Sequence, residues 1–534
     1  MDGFDGVFDD EGKGLRRRQF LVAGAATGVA VAGPLNYAQI ARAKKVPFAK
    51  QGKFKHGVSS GFPSDKAITL WTRLSGVDKT SGVRLEVAKD KGFNKVVKSE
   101  IVKAQARHDF TVHERVSGLK PGTEYFYRFE TKEKESRVGR FRTLAGKGSN
   151  QPLKIGYWSC QSYEAGFYNA QAGLAAEQDL DFIVMLGDYI YERHFFDGPA
   201  ERVDTTGENK DGNAQTLEEY REKYHLVQSD KNLQDLHANY PIVSVWDDHE
   251  VEDNYAGDYP DSAEPDPKKT NDGEVRRVPY GDRRINGYRS YFEAMPRIRM
   301  KSDRNQIYGA YRLGSLADLF ITDQRQYRDR QPCNDPILEP CPDTQDPGRT
   351  MLGAEQKAWF KAAVPASKAK WKIWGSELML MSIDVPHGSP ALVDAWDGYE
   401  AERQEILSSF KDAGLQNLAV ITGDIHSFFA GDLSTTGDDQ GDPIGVEFVG
   451  GSATSFGIPE TLGQPAAGLE ALGLSQNPHI KFANLSKRGY AVLSVDADKI
   501  TCELKSVDAF TDGAKPVSLA TFTTADGDPH VHQV

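Results

Sequence analysis

The sequence predicts a two-domain chain, α+β or α/β in class, with a small all-β domain ahead of a larger one in which strands alternate with helices. Three observations carry this. Between Phe54 and Leu144 apolar and polar residues alternate at the period of half-buried strands. From Pro152 onward, short apolar runs are separated by segments with helical spacing. The run Asp181 to Leu186, stopped by Gly187, is apolar on both faces, as a strand inside a sheet must be. At 534 residues the chain exceeds one simple core, so two domains plus a leader are expected.

Residues 1–43 read as that leader. Arg16, Arg17 and Arg18 precede Gln19, Phe20 and Leu21, then a mild apolar stretch from Val22 to Gly33. Ala41-Arg42-Ala43 offers small residues at the −3 and −1 positions of a cleavage site. The stretch is too short and glycine-rich for a spanning helix, and an Arg pair followed by x-Phe-Leu is similar to a twin-arginine export signal. The mature chain, beginning near Lys44, is expected to be periplasmic or extracellular, exported by the twin-arginine machinery, with no integral membrane segment.

Residues 44–150 carry the β pattern. Ala67 to Arg73, Val83 to Val87 and Tyr125 to Phe129 alternate as strands. Leu119-Lys-Pro-Gly-Thr-Glu-Tyr125 is a Pro-Gly turn entering a strand, as fibronectin-like sandwiches approach a late strand. The domain is expected to be a structural spacer, and Gly146 to Gln151 its polar linker.

Residues 151–510 form the larger domain. Strands are expected at Lys154–Cys160, Asp181–Leu186, Pro241–Trp246, Ala317–Thr322, Trp371–Trp374, Leu418–Thr422, Gly445–Val449 and Tyr490–Val495. Helices are expected up to Leu174, at Ala354–Val364 and at Glu400–Ala413, and Thr216 with Glu219 forms a capping box opening another. Tyr255 to Arg277, acidic and bearing Pro and Gly, reads as a surface loop. Residues 511–534 read as a polar, β-rich tail, with His530 to His532 a disordered end.

The net charge of −12 argues against nucleic-acid binding through a basic face, except as a substrate. An anionic substrate remains compatible if bound cations dominate the local field. Four cysteines, without CxxC spacing, are too few for a disulfide framework or a zinc ribbon. Cys333 and Cys341 flank a short Pro-rich loop and are expected to pair outside the cytoplasm. Cys502 is expected to be unpaired and buried.

Chemistry concentrates at strand ends. Four buried-type strands end in Cys160, in Asp188 with Tyr191, in Asp247 and Asp248 with His249, and in Asp424 with His426. One strand ending in Asp is an ordinary turn. Four such ends at one sheet edge would gather carboxylates that repel unless cations hold them together. A metal cluster follows.

Gly187-Asp-Tyr-Ile-Tyr191, Trp246-Asp-Asp-His-Glu250 and Gly423-Asp-Ile-His426 resemble the metallophosphoesterase pattern, and more closely the PhoD-type alkaline phosphatase family. Trp158-Ser-Cys-Gln161, Asp323 to Cys333 and Trp396-Asp-Gly-Tyr399 are similar to it as well, so the likeness runs from about Phe54 to Val507. The resemblance implies a four-layered αββα metallophosphoesterase domain behind the sandwich. It implies Fe3+ held by Cys160, Asp188, Tyr191 and His426, and Ca2+ held by Asp188, Asp248 and Asp424, with Asp247 and Asn254 as further candidates for the second metal. Thiolate and tyrosinate suit a trivalent ion, and a carboxylate partner site suits a hard oxygen-seeking one. Zinc or manganese relatives keep additional histidines. Between His249 and His426 this chain has only His387, which, like His194 and His225, is read as a non-ligand.

The expected activity is phosphoester hydrolysis by metal-activated hydroxide, with no covalent intermediate. Asp188 bridges the metals, His249 acts at the leaving group or phosphoryl charge, and Arg325 contacts the substrate phosphate. Two alternatives stand beside it. One is phospholipase D-type diester cleavage at the same site. The other, from another class, is a calcium-binding adhesive or carbohydrate-binding protein.

Overall fold

The computed structural model describes residues 46–534 apart from 195–200, 261–274, 301–302, 336–340, 386–388, 391, 458, 461–462 and 464. The proposed leader and His387 therefore lie outside the described residues, as does most of the Tyr255–Arg277 loop. No described helix is long and apolar enough to cross a membrane.

The N-terminal unit contains β1 (Val58–Gly61), β2 (Ile68–Arg73), β3 (Ser81–Ala88), β4 (Val96–Ala104), β5 (Thr111–Val116), β6 (Glu124–Glu130) and β7 (Gly139–Arg142). Strands β4-β3-β6-β7 form one sheet, and β1, β2 and β5 lie across a shared core from it. Alternation builds that core, with Leu85 and Val87 of β3 facing Ile68 and Leu70 of β2. This second layer does not stop at the domain boundary. Gly61 of β1 pairs with Ile242, so β1, β2 and β5 become one end of a ten-stranded sheet that continues through the larger domain.

That domain follows with β8 (Leu153–Trp158), α1 (Asn169–Ala176), β9 (Phe182–Leu186), α2 (Leu217–Val227), α3 (Lys231–Asn239), β10 (Ile242–Val245), α4 (Tyr280–Ala294), β11 (Gly309–Leu313) and β12 (Ala317–Ile321). Then come α5 (Gly353–Ala366), β13 (Trp371–Gly375), the two-residue strands β14 (Asp384–Val385) and β15 (Ser389–Pro390), α6 (Glu400–Asp412), β16 (Leu418–Thr422), β17 (Phe428–Ser434) and β18 (Pro443–Gly450). The chain closes with α7 (Ala466–Gln476), β19 (Ile480–Asn484), β20 (Arg488–Val495), β21 (Lys499–Val507), β22 (Val517–Ala525) and β23 (His532–Gln533).

The long sheet runs β23-β22-β21-β20-β8-β9-β10-β1-β2-β5, and a second sheet runs β11-β12-β13-β16-β18-β17-β19. Their inner faces share one core. In β12, Ala317, Leu319 and Ile321 point into it, while Phe320 points outward toward Phe360 of α5 and Phe410 of α6. Helices α2, α3 and α4 add Tyr220, Leu233 and Tyr291 beside the long sheet. The α2 capping box forms as its sequence predicts, Thr216 accepting from the Glu219 N–H and Glu219 reaching back.

The β-rich end of the chain completes the long sheet, β22 pairing along β21 and β23 with β22, so residues 511–534 belong to the larger domain. One expectation there is corrected. His530 to His532 are not a disordered end. His530 faces Asp432 at 3.0 Å, and the Val531 N–H donates to that carboxylate at 2.8 Å. Phe522 and Val531 go into the core, which is what the alternation of the last strands serves.

Candidate metal centre

Strands β8, β9 and β10 are parallel neighbours, with Ile155 opposite Phe182 and Ile183 opposite Ile242, so their C-terminal ends lie at one edge. β16 belongs to a parallel set in the second sheet and brings its own C-terminal end to the same place. Two residues past β8 stands Cys160, two past β9 stands Asp188, and two past β16 stands Asp424. Each adopts a left-handed backbone, φ 56°, 56° and 62°, as do Asn254 and His426 at 54° and 53°. Such residues cost on the order of 1 kcal/mol or more each and persist where the surroundings over-determine them. Here the reversal turns a side chain out of the strand direction and into the space between the sheets. Gly187, at φ 96°, lets the loops touch, since a Cβ there would stand 2.4 Å from Asp247 Cβ.

Three groups result, each with ligand atoms within 4.8 Å of one another: Cys160, Asp188 and His426; Asp188, Asp248 and His249; and Asp247, Asp248 and Asp424. Asp188 and Asp248 are shared between groups, so the three form a chain. Tyr191 joins the first, its hydroxyl donating to Asp188 Oδ2 at 3.0 Å and lying 3.1 Å from His426 Nε2. Ser455 Oγ donates to that hydroxyl at 2.7 Å. His426 Nδ1 bonds the Phe456 carbonyl, an arrangement that protonates Nδ1 and leaves Nε2 as a lone pair. Burial pushes its imidazole down to about 4, so it is neutral near pH 7. Asp424 and His426 are half-buried while the other members are buried, which marks the open side.

Electrostatics favour cations in this arrangement. Burial, and then neighbouring acids, push Cys160, Asp188, Asp424 and Tyr191 well above their ordinary values, and Asp247 up to about 6. Burial also opposes ionisation of Asp248, but Arg325 and His249 hold it well below the carboxylate range. Asp188 Oδ1 and Asp247 Oδ2 are buried without a hydrogen-bond partner. Carboxylate oxygens in that condition are costly unless a cation meets them. The donor set of thiol, phenol, imidazole and carboxylates thus fits metal ions.

His249 Nδ1 is 2.7 Å from Glu192 Oε2, Nε2 is 3.6 Å from Asp253 Oδ1, and the ring lies tilted by 34° against Tyr191, centroids 4.2 Å apart. Burial disfavours its charge, yet Glu192, Asp248 and Asp188 outweigh that and hold it well above the usual histidine range. Asn254 comes near through its backbone, whose N–H donates to Asp248 Oδ2 at 2.7 Å, while its amide turns to Asp335 at 3.1 Å.

Arg325, expected at the substrate phosphate, lies fully buried among the acids. Nε bonds Asp247, Nη1 bonds Asp394 at 2.7 Å, and Nη2 lies 3.2 Å from Asp424 and 3.5 Å from Asp248. Four carboxylates surround this one guanidinium, so its donors are taken up by Asp247, Asp248, Asp394 and Asp424. Cys333 and Cys341 are joined by a disulfide, Cα atoms 5.8 Å apart, and Cys502 is buried beside the Tyr157 hydroxyl.

Several contributing residues escaped sequence reasoning. Glu250 accepts N–H bonds from Tyr189 at 2.6 Å, Asp247 at 2.7 Å and Asp188 at 3.1 Å, clamping the β9 and β10 loops together. Its signal was its place at the end of Trp246-Asp-Asp-His-Glu250. Asp394, holding Arg325 and Arg328, stands two residues before Trp396-Asp-Gly-Tyr399. Ser455 carries no sequence signal.

Two mixed sheets face to face, with acids, a thiol and imidazoles at their shared edge, define a metallophosphoesterase-type hydrolase. The profile of the PhoD-like phosphatase family matches residues 155–504, and that of its N-terminal domain residues 40–145. Alkaline phosphatase D of Bacillus subtilis is 34% identical over 528 residues, covering 94% of this chain and 86% of that one. A solved structure of PhoD superposes with a TM-score of 0.78 at 31% identity, over 90% of this chain and 92% of that one. The purple acid phosphatase PPD1 of yellow lupin shares the fold, at a TM-score of 0.54 and 12% identity, over 88% of this chain and 73% of that one. The chain belongs to the PhoD-like phosphatase family and is a phosphoric ester hydrolase. This sets aside the adhesive alternative.

Proposed function

We propose that this chain is an exported alkaline phosphatase that holds Fe3+ with Cys160, Asp188, Tyr191 and His426, and Ca2+ with Asp188, Asp248 and Asp424. The observation that carries the proposal is Asp188. One of its oxygens sits in the thiol–phenol–imidazole group and the other is buried without a partner between that group and Asp248. The bound pair supplies Lewis acidity and a water acidic enough to ionise near neutral pH.

The protein's own contribution is placement and proton transfer. The phosphoester enters at the half-buried Asp424–His426 side. Glu192 fixes His249 through Nδ1, which orients Nε2 to deliver a proton to the leaving-group oxygen. Arg325 serves as internal counter-charge, keeping Asp247, Asp394 and Asp424 apart and oriented. Asp247 and Asn254 act at the rim of the second site.

The reading extends to the rest of the chain. Residues 1–43 are the twin-arginine signal, residues 44–150 the sandwich, and the catalytic unit runs from 151 through the strands beyond 510. The Cys333–Cys341 disulfide supports maturation outside the cytoplasm. Rates on an aryl phosphate and a bis-aryl phosphodiester, for parent and D188N, test the function. Turnover of the monoester that D188N abolishes is expected. Exclusive turnover of the diester would favour the phosphodiesterase reading, and full activity of D188N would remove the assignment.

A further inference from the structure

Away from the metal centre, a cavity of about 710 Å³ lies between the β4–β5 face of the N-terminal unit and α4 with the segment that follows it. Its volume is in the range of small-molecule sites, and none of the metal-centre acids lines it. Two features distinguish it from an ordinary domain seam.

The first is charge left over after pairing. Of the acids on its walls, Glu293 is held by Arg221 at 2.8 Å and Arg289 at 3.0 Å, while Glu114 shares Lys98, at 3.5 Å, with Glu100 at 2.6 Å. Lys103, Arg299 and Arg304 also line it, and no carboxylate among the described residues pairs with them. Among the described residues, Arg299 donates to neutral acceptors, Asn305 Oδ1 at 3.1 Å and the Tyr288 carbonyl at 3.5 Å. Partial burial, and then the charge of Arg304, push its guanidinium below the usual range, against the opposing pull of Glu293. Arg297 is 6% exposed, and its buried Nε has no hydrogen-bond partner. On a chain of net charge −12 this is a local reversal of sign.

The second feature is apolar surface on both walls. Ile101 of β4 is 52% exposed and Ile285 of α4 is 61% exposed, and Phe292 carries the Arg299 guanidinium 4.3 Å from its ring centre. Cations beside apolar walls select a molecule that is charged at one end and apolar elsewhere.

We propose that this interdomain groove binds an organic oxyanion, a molecule with one phosphate, sulfate or sulfonate head and an apolar body. The head meets Arg299, Arg304 and Lys103, and the body lies between Ile101 and Ile285. The site is separate from the metal centre and does not depend on which metals that centre holds.

Calorimetric titration of the full chain with naphthalene-2-sulfonate, which is not a phosphoester, tests it. Saturable binding to one site per chain is expected, unchanged in D188N. The R299Q/R304Q variant should weaken it by about tenfold or more at unaltered phosphatase activity. Equal affinity of that variant, or equal binding of the neutral 2-naphthylmethanol, would overturn the proposal. Salt provides a check without any substitution: affinity in the parent must fall as sodium chloride rises, and a salt-independent affinity would also overturn it.

Discussion

Glu250→Gln isolates the device that brings two metal-bearing loops together. The carboxylate takes three buried N–H bonds, two at Oε2 from Asp188 and Asp247 and one at Oε1 from Tyr189. Glutamine keeps one acceptor oxygen and presents an NH2 group to at least one of those donors. A buried hydrogen bond to a charged acceptor contributes roughly 1.5–3 kcal/mol, and an unsatisfied buried N–H adds its own desolvation cost. The variant should therefore be destabilised by about 2–4 kcal/mol. Burial pushes the Glu250 carboxyl up to about 7. A folded-state value raised above the unfolded one means that stability is lost as pH rises through about 7. Urea unfolding should accordingly be compared at about pH 6, before that loss masks the missing bonds. Displacing the Asp188 loop by about 1 Å also lowers turnover by roughly 100-fold. A variant within about 0.5 kcal/mol of the parent, with parental turnover, would refute the clamp.

Tyr191→Phe should erase the visible absorption of an iron tyrosinate while leaving the fold intact, and absorption that survives would place iron elsewhere. His237 is buried, stacks on Tyr189 at 5.7 Å, and burial lowers its pKa to about 3. Its folded pKa lies below the unfolded value, so its contribution is complete above about pH 6.5 and is lost toward pH 3, at about 1.4 kcal/mol per pH unit. H237F should flatten the acid limb of the stability curve by that slope, and an unchanged limb would contradict the assignment. Replacing Cys333 and Cys341 together by serine opens a loop of sequence separation 8. It should cost about 2–3 kcal/mol in chain entropy, measured by thermal unfolding under oxidising conditions.

The central strands were legible because burial on both faces leaves an uninterrupted apolar run; β16 forms at its expected residues, Leu418–Thr422. The α2 helix was legible through its cap. Helix α4 was not, because Arg283 and Glu293 are buried on it through ion pairs with Glu252 and Arg221, which hides the apolar stripe. The joining of the sandwich to the long sheet rests on β1, four residues of sequence VSSG that carry no strand alternation. In the site, residue types at strand ends showed which side chains converge. Left-handed backbone at Cys160, Asp188, Asp424 and His426 was invisible, since none is a glycine. The place of Arg325 was also illegible, because its four partners come from three distant segments, around positions 247, 394 and 424.

Elemental analysis of purified, active protein, parent beside D188N, bears most directly on the claim that cations hold these acids together. Stoichiometric iron with calcium in the parent, both depleted in D188N, is the predicted result. Full phosphatase activity in protein carrying neither iron nor calcium would contradict it.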